Sequence, residues 1–302
     1  MRLFRIIKDF QKKVVFLGTK LKKRTFMEIL SKDTIYTYIL PNLQIGHTGK
    51  YLEPDFTVEI VQAILYRLKT GVQWRYLPVK AIFSEKVLTW QCVYYHFREW
   101  VKDGSWIKVW ITLLSCHKSS LDLSCIQLDG SHTPCKRGGE SVGYQGRKKA
   151  KTTNSLYIAD NQGQMLACAT PQEGQHNDLF DIQALFEEMC EMLTKAGINI
   201  KGLFLNADAG FDSKEFRELC AKKEIEANIP TNTRNAKEEP TLEYKYFDDE
   251  LYENRFVIER ANAWQDQFKA LLVRYETKAD TWVNLIFLSF TVIFIRRLTR
   301  KT

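Results

Sequence analysis

CIQLDGSHT (125–133) is the stretch that decides the fold of this chain. A short run ending at Leu128 gives way to Asp129-Gly130 and polar residues, the pattern of a buried strand that emerges at a sheet edge. LFLNADAG (203–210) has the same grammar, with Asp208 two residues after the run ends. A third acid, Glu259, sits inside YENRFVIER (252–260), where Tyr252, Arg255 and Glu259 are spaced by three and then four residues. That spacing predicts one helix face carrying all three. Two strand-end carboxylates and one helix carboxylate can converge on hard cations, which take oxygen ligands and a few carboxylates. A pair of such ions can activate an attacking oxygen and stabilise a leaving one in an in-line displacement. The chemistry implied is cutting or joining of nucleic acid.

Outward from these runs, strands are expected at about 125–129, 154–160, 164–170, 202–207 and 225–229. Helices are expected at about 177–195, 213–222, 253–274 and 281–297. Asp160-Asn161-Gln162-Gly163 between two apolar runs signals a hairpin turn. Asp212, three residues ahead of Glu215, reads as a helix cap in preference to a metal ligand. The expected fold class is α/β, a mixed sheet flanked by helices and preceded by a small all-helical domain. From Asp55 to about Ser115 the pattern is helical, with Thr70-Gly71 closing one helix and Trp90, Tyr94, Phe97 and Trp100 at helical spacing on another. This region is either a helix-turn-helix module with a helix in the major groove or a bundle that packs on the catalytic domain. The boundaries expected are a basic leader at 1–40, a helical domain at 41–120 and a catalytic domain at 121–302.

A net charge of +8 and a pI near 9.0 suit a polyanionic partner. Residues 1–50 hold eleven Lys or Arg against three Asp or Glu, a surplus equal to that of the whole chain. A second basic run, Lys136 to Lys151, carries six basic residues and one acidic one just beyond Asp129. Within it Arg147, Lys148, Lys149 and Lys151 are candidate phosphate contacts. Seven cysteines without a C-x-x-C pair argue for reduced thiols, against a disulfide framework and a zinc site, and hence for a cytoplasmic protein. WVNLIFLSFTVIFI (282–295) is short of the ~20 residues a bilayer span needs and reads as a buried terminal helix, so no membrane role is expected.

Five segments in order, LDGSHT (128–133), GYQGRKKAKTTN (143–154), GQHNDL (174–179), NADAGFDS (206–213) and YENRFVIERANAW (252–264), resemble the catalytic domain of DDE transposases from bacterial insertion sequences. AILYRLKTGVQWRYLP (63–78) and VYYHFREWVKDGSW (93–106) resemble the helical N-terminal domain of the same group. The resemblance implies a ribonuclease H-like fold, with Asp129, Asp208 and Glu259 as catalytic residues holding two Mg²⁺, or Mn²⁺ in their place. It implies binding of terminal inverted repeats, hydrolysis that frees a 3′-hydroxyl, and attack of that hydroxyl on double-stranded target DNA by a homodimer assembled on DNA, associated with the nucleoid. Tyr252 and Arg255 match the family signature and are expected at the DNA, Arg255 either holding Glu259 ionised or contacting a phosphate. Seven residues after Glu259, where the family has Lys, this chain has Asp266; Lys269 is the nearest substitute. His176 matches a recurrent position, read either as positioning near the metals or as capping support with Asn177 and Asp178. Two alternatives stay open, a nuclease on the same fold and a catalytically silent DNA-binding protein derived from a transposase.

Overall fold

The computed structural model describes residues 27–44, 52–232 and 247–300. Most of the basic leader lies outside these residues. Its last part does not: α1 (Lys32–Tyr38) is capped by Ser31 and buries Ile35 completely. Pro54 at the first turn and left-handed Gly71 bound α2 (Pro54–Thr70), which buries Val58, Ile60, Val61, Ile64, Leu65 and Leu68. After the short α3 (Val79–Ile82) come α4 (Trp90–Lys102), capped by Thr89, and α5 (Ser105–Cys116), separated by the Asp103-Gly104 turn. The aromatic stripe of α4 turns inward. Phe97 and Trp100 are fully buried, and Trp100 meets Trp106 edge-on at 5.3 Å.

The sheet begins with β1 (Cys125–Pro134), then β2 (Gly143–Gln145), β3 (Ala150–Ala159), β4 (Met165–Cys168) and β5 (Gln172–Glu173). β3 runs antiparallel to β1, with Asp129 opposite Tyr157, and also pairs antiparallel with β2, β4 and β5. The Asp160 to Gly163 turn forms as expected: Asp160 accepts from Gln162 and Gln164, and Gly163 has φ +86°. α6 (Ile182–Lys195) then crosses to β6 (Phe204–Asn206), α7 (Lys214–Lys222) and β7 (Glu226–Asn228). β6 runs parallel to β1, and β7 parallel to β6. Five strands paired antiparallel through β3, followed by two parallel ones, make a ribonuclease H-like mixed sheet.

The chain closes with α8 (Asp249–Glu253), α9 (Phe256–Gln265), α10 (Lys269–Leu272) and α11 (Ala279–Thr299). The single helix expected at 253–274 is thus three short ones, broken at Asn254-Arg255 and at Asp266–Phe268. Tyr252 consequently lies on α8, one helix ahead of Glu259. By length and composition α11 could cross a membrane, but it is mostly buried. Its Phe290 and Phe294 pack on Trp110 of α5, whose indole donates to the Leu166 carbonyl of β4 at 2.9 Å. One continuous apolar core therefore runs from α1 and α2 through α5 and α11 into the sheet. All seven cysteines are free thiols.

Candidate active site

Register brings the first two acids together. β1 and β6 are parallel with Gln127 beside Asn206, so Asp129 and Asp208 each stand two residues past the last paired position. Asp208 lies beyond the end of β6 and Asp129 midway along β1, which runs on to Pro134 instead of ending at 129 as expected. Crevices beyond the carboxyl ends of parallel strands are where open α/β sheets bind ligands. Asp208 leaves its strand in extended conformation, and one of its oxygens accepts from the Gly210 amide at 2.8 Å.

Two buried asparagines hold the third element over this edge. Asn228 donates to the Asn206 side chain at 2.9 Å and to the Asp248 carbonyl at 2.9 Å, while Asn206 donates to the Leu251 carbonyl at 2.8 Å. These bonds pin the start of α8 to the ends of β6 and β7, and α9, which follows at once, packs against β1. Arg255, at the head of α9, pairs with Glu259 at 3.3 Å. Its guanidinium also favours the charged form of Asp129. Burial works the other way and dominates, and with Asp178 and Asp208 also opposing ionisation the Asp129 carboxyl is pushed up to about 6.

Asp178 was missed as a member of this site. Read from the sequence as helix-capping support, it performs no capping, because α6 starts four residues later at Ile182 and its cap position, Asp181, makes no side-chain cap bond. Instead Asn154 of β3 donates to Asp178 at 2.7 Å. The carboxylate lies over Gly130, where an added Cβ would stand 2.3 Å from its oxygen. The glycine of the Asp129-Gly130 dipeptide therefore makes room for a second acid beside the first. A glycine directly after the acid was the only local signal, and it reads equally well as a turn.

The remaining expected residues divide. Lys148 donates to the His132 carbonyl on β1 at 3.0 Å, while Arg147, Lys149 and Lys151 are exposed around it. The basic loop thus borders the same strand as Asp129. His132 of that strand contacts Thr152 at 3.1 Å, and burial depresses its pKa. His176 stacks flat on Phe180 and neither caps α6 nor contacts Asp129 or Asp208. Asp212 is not the cap of α7. Ser213 is, accepting from Phe216, and Asp212 instead binds Arg217 at 2.8 Å. Lys269 heads α10 and packs on Gly71, beside Lys69.

Glu259 is 63% exposed and turned to Arg255. Among the described residues no three His, Cys, Asp or Glu side chains stand close enough to form a cation site. The chemistry of the donors nevertheless fits a hard divalent ion. Asp178 and Asp208 both oppose ionisation of the buried Asp129 while Arg255 favours it, and clustered carboxylates are relieved by a cation.

A ribonuclease H-like sheet with one acid on β1, a second just past the end of β6, and a third on a helix packed against β1 defines a nucleic-acid phosphoryl-transfer enzyme. Residues 33–110 match the family model described as "Putative transposase of IS4/5 family", and residues 205–296 match "Transposase DDE domain". The chain belongs to the DDE transposases, whose DDE domain depends on divalent metal. Solved structures similar to it include the Mos1 transposase paired-end complex with left transposon end, at 12% identity over 84% of this chain and 81% of that one, TM-score 0.28. Another is a pre-cleavage Mos1 transpososome, at 12% identity over 84% and 82%, TM-score 0.27. No curated protein matches the chain.

Proposed function

We propose that this transposase binds the terminal inverted repeats of its own element, hydrolyses a phosphodiester at each end and joins the freed 3′-hydroxyl to target DNA. The observation that carries the reading is the shared register of Asp129 and Asp208, with Arg255 near enough to favour the charged form of Asp129 and paired in turn with Glu259. Asp129, Asp208 and Glu259 would hold two Mg²⁺, or Mn²⁺, with Asp178 beside them. The ions would polarise the scissile phosphate and lower the pKa of the attacking oxygen. Arg255 pairs with Glu259 until a cation takes that carboxylate over, and then faces a DNA phosphate. Lys148 and its neighbours on the 146–151 loop, with Tyr252, hold the backbone in place. A homodimer assembled on DNA, in the cytoplasm at the nucleoid, brings two ends together.

The test is cleavage and joining of a labelled terminal-repeat duplex in Mg²⁺ by the native chain and by Asp208→Ala. Metal-dependent cleavage and joining that vanish in the variant are expected. Cleavage without joining under all conditions would make the chain a nuclease, and salt-sensitive binding with no cleavage by either protein would overturn the catalytic reading.

A further inference from the structure

Away from the carboxylates, a cavity of about 380 Å³ opens between the end of α11, the end of α9 and the strand after the hairpin. It is lined by Arg296, Arg297 and Arg300 together with Trp264, Gln267 and Gln164. Basic residues at a helix C-terminus ordinarily complement its dipole, which accounts for one or two of these arginines. The rest of the neighbourhood exceeds that need. Three arginines line the opening itself, and beyond it Lys69 of α2 feels the charges of both Arg296 and Lys269, so the basic surface continues from α11 to α2 and α10. Arg297 has a partner in the buried Asp160 at 3.9 Å, and Arg296 donates to the Ile29 carbonyl. Among the described residues no carboxylate pairs with Arg296, Arg300, Lys69 or Lys269.

α9 carries this basic surface towards Glu259. Phe256, Arg260 and Trp264 recur every four residues and form one stripe, the Arg260 guanidinium lying 5.7 Å from the Phe256 ring and 5.4 Å from the Trp264 ring. Phe256 is a large exposed hydrophobic residue. Two rings that flank a guanidinium keep it extended and poorly hydrated, which favours bidentate contact with phosphate. Arg260 directly follows Glu259, so the stripe lies about 100° round the helix from the acid.

We propose that the arginine pocket and the Phe256–Arg260–Trp264 stripe bind the phosphate backbone of duplex DNA, as a contact surface separate from the carboxylate site and from the 146–151 loop. This rests on the transposase reading and adds to it where the duplex runs. A polyanion neutralises several cations at once, which a single small anion does not.

The test measures binding of a fluorescent duplex of arbitrary sequence to the full chain in EDTA across a salt series, so that no cleavage intervenes. Arg260→Gln with Arg300→Gln is compared with Lys195→Gln plus Lys214→Gln, an equal charge loss at exposed lysines elsewhere. Loss of two phosphate contacts is expected to lower the slope of log affinity against log salt by about two, and affinity at low salt by tenfold or more. Arg260→Lys with Arg300→Lys should restore the slope, and it also reads out the contact if the glutamine pair melts early. A slope unchanged from the lysine control would overturn the proposal while leaving the transposase reading intact. Thermal protection by inorganic phosphate that the glutamine pair abolishes, with duplex binding untouched, would make this a small-anion site and overturn it too. A native chain that binds no duplex at all would sink both.

Discussion

Asp129 has a burden set by its surroundings. Its ionised form is disfavoured in the folded protein, so the folded carboxyl holds its proton up to about pH 6, whereas the unfolded one releases it near the ordinary carboxylate pKa, about 4. Between those values the native state binds more protons than the unfolded chain, and stability falls as pH rises. In metal-free buffer Asp129→Asn should therefore raise the melting temperature at pH 7.5, by an effect on the order of 2 kcal/mol, and the gain should shrink towards zero near pH 4. Calorimetric scans at the two pH values check this. Gly130→Ala tests Asp178. The new methyl would displace the Asp178 carboxylate, which can rotate away, so the expected stability loss is about 1 kcal/mol for the bond from Asn154. End cleavage should fall far more than that loss explains, and normal cleavage by a stably folded Gly130→Ala protein would remove Asp178 from the site.

At the scale of elements, α2 is tied to the segment between α10 and α11 by Arg67 and Glu276, 2.7 Å apart and both largely buried. Burial lowers the Arg67 pKa against the pull of Glu276, so the pair is a desolvated charge with one compensating partner. Removing that partner leaves the guanidinium uncompensated, and Glu276→Ala is expected to cost about 3 kcal/mol in chemical denaturation. A loss under 1 kcal/mol would show that Arg67 stays solvated. The short helices α8, α9 and α10 carry a related lesson. Their apolar spacing reads as one helix over 253–274, and nothing local marks the break at Asn254-Arg255. The clamp from Asn206 and Asn228 to the Asp248 and Leu251 carbonyls draws the backbone down to the strand ends. It joins residues 20 and 45 positions apart, so no short window along the chain contains it.

For the whole molecule, the consequence of one continuous core is that the helical region and the catalytic sheet stand or fall together. Trp110 of α5 touches α11 and β4 at once, so α5 serves as an inner wall of the catalytic half. The full chain should unfold in a single transition by both near-ultraviolet circular dichroism and calorimetry, and a fragment starting at residue 121 should be insoluble or molten. Two separated transitions, or a folded fragment, would contradict a shared core. What the sequence by itself determined was the set of strands bearing Asp129 and Asp208, the Asp160 hairpin, the caps at Gly71 and the burial of the terminal helix. Each of these follows from chemistry within a few residues: alternation, turn dipeptides, left-handed glycine and unbroken apolar length. Only the tertiary structure decided that Asp178 lies over Gly130, that Glu259 turns to Arg255, and that the arginines of α11 meet α9. Those neighbours depend on strand register and on how crossing helices settle into a common core, and both are properties of the packed chain as a whole.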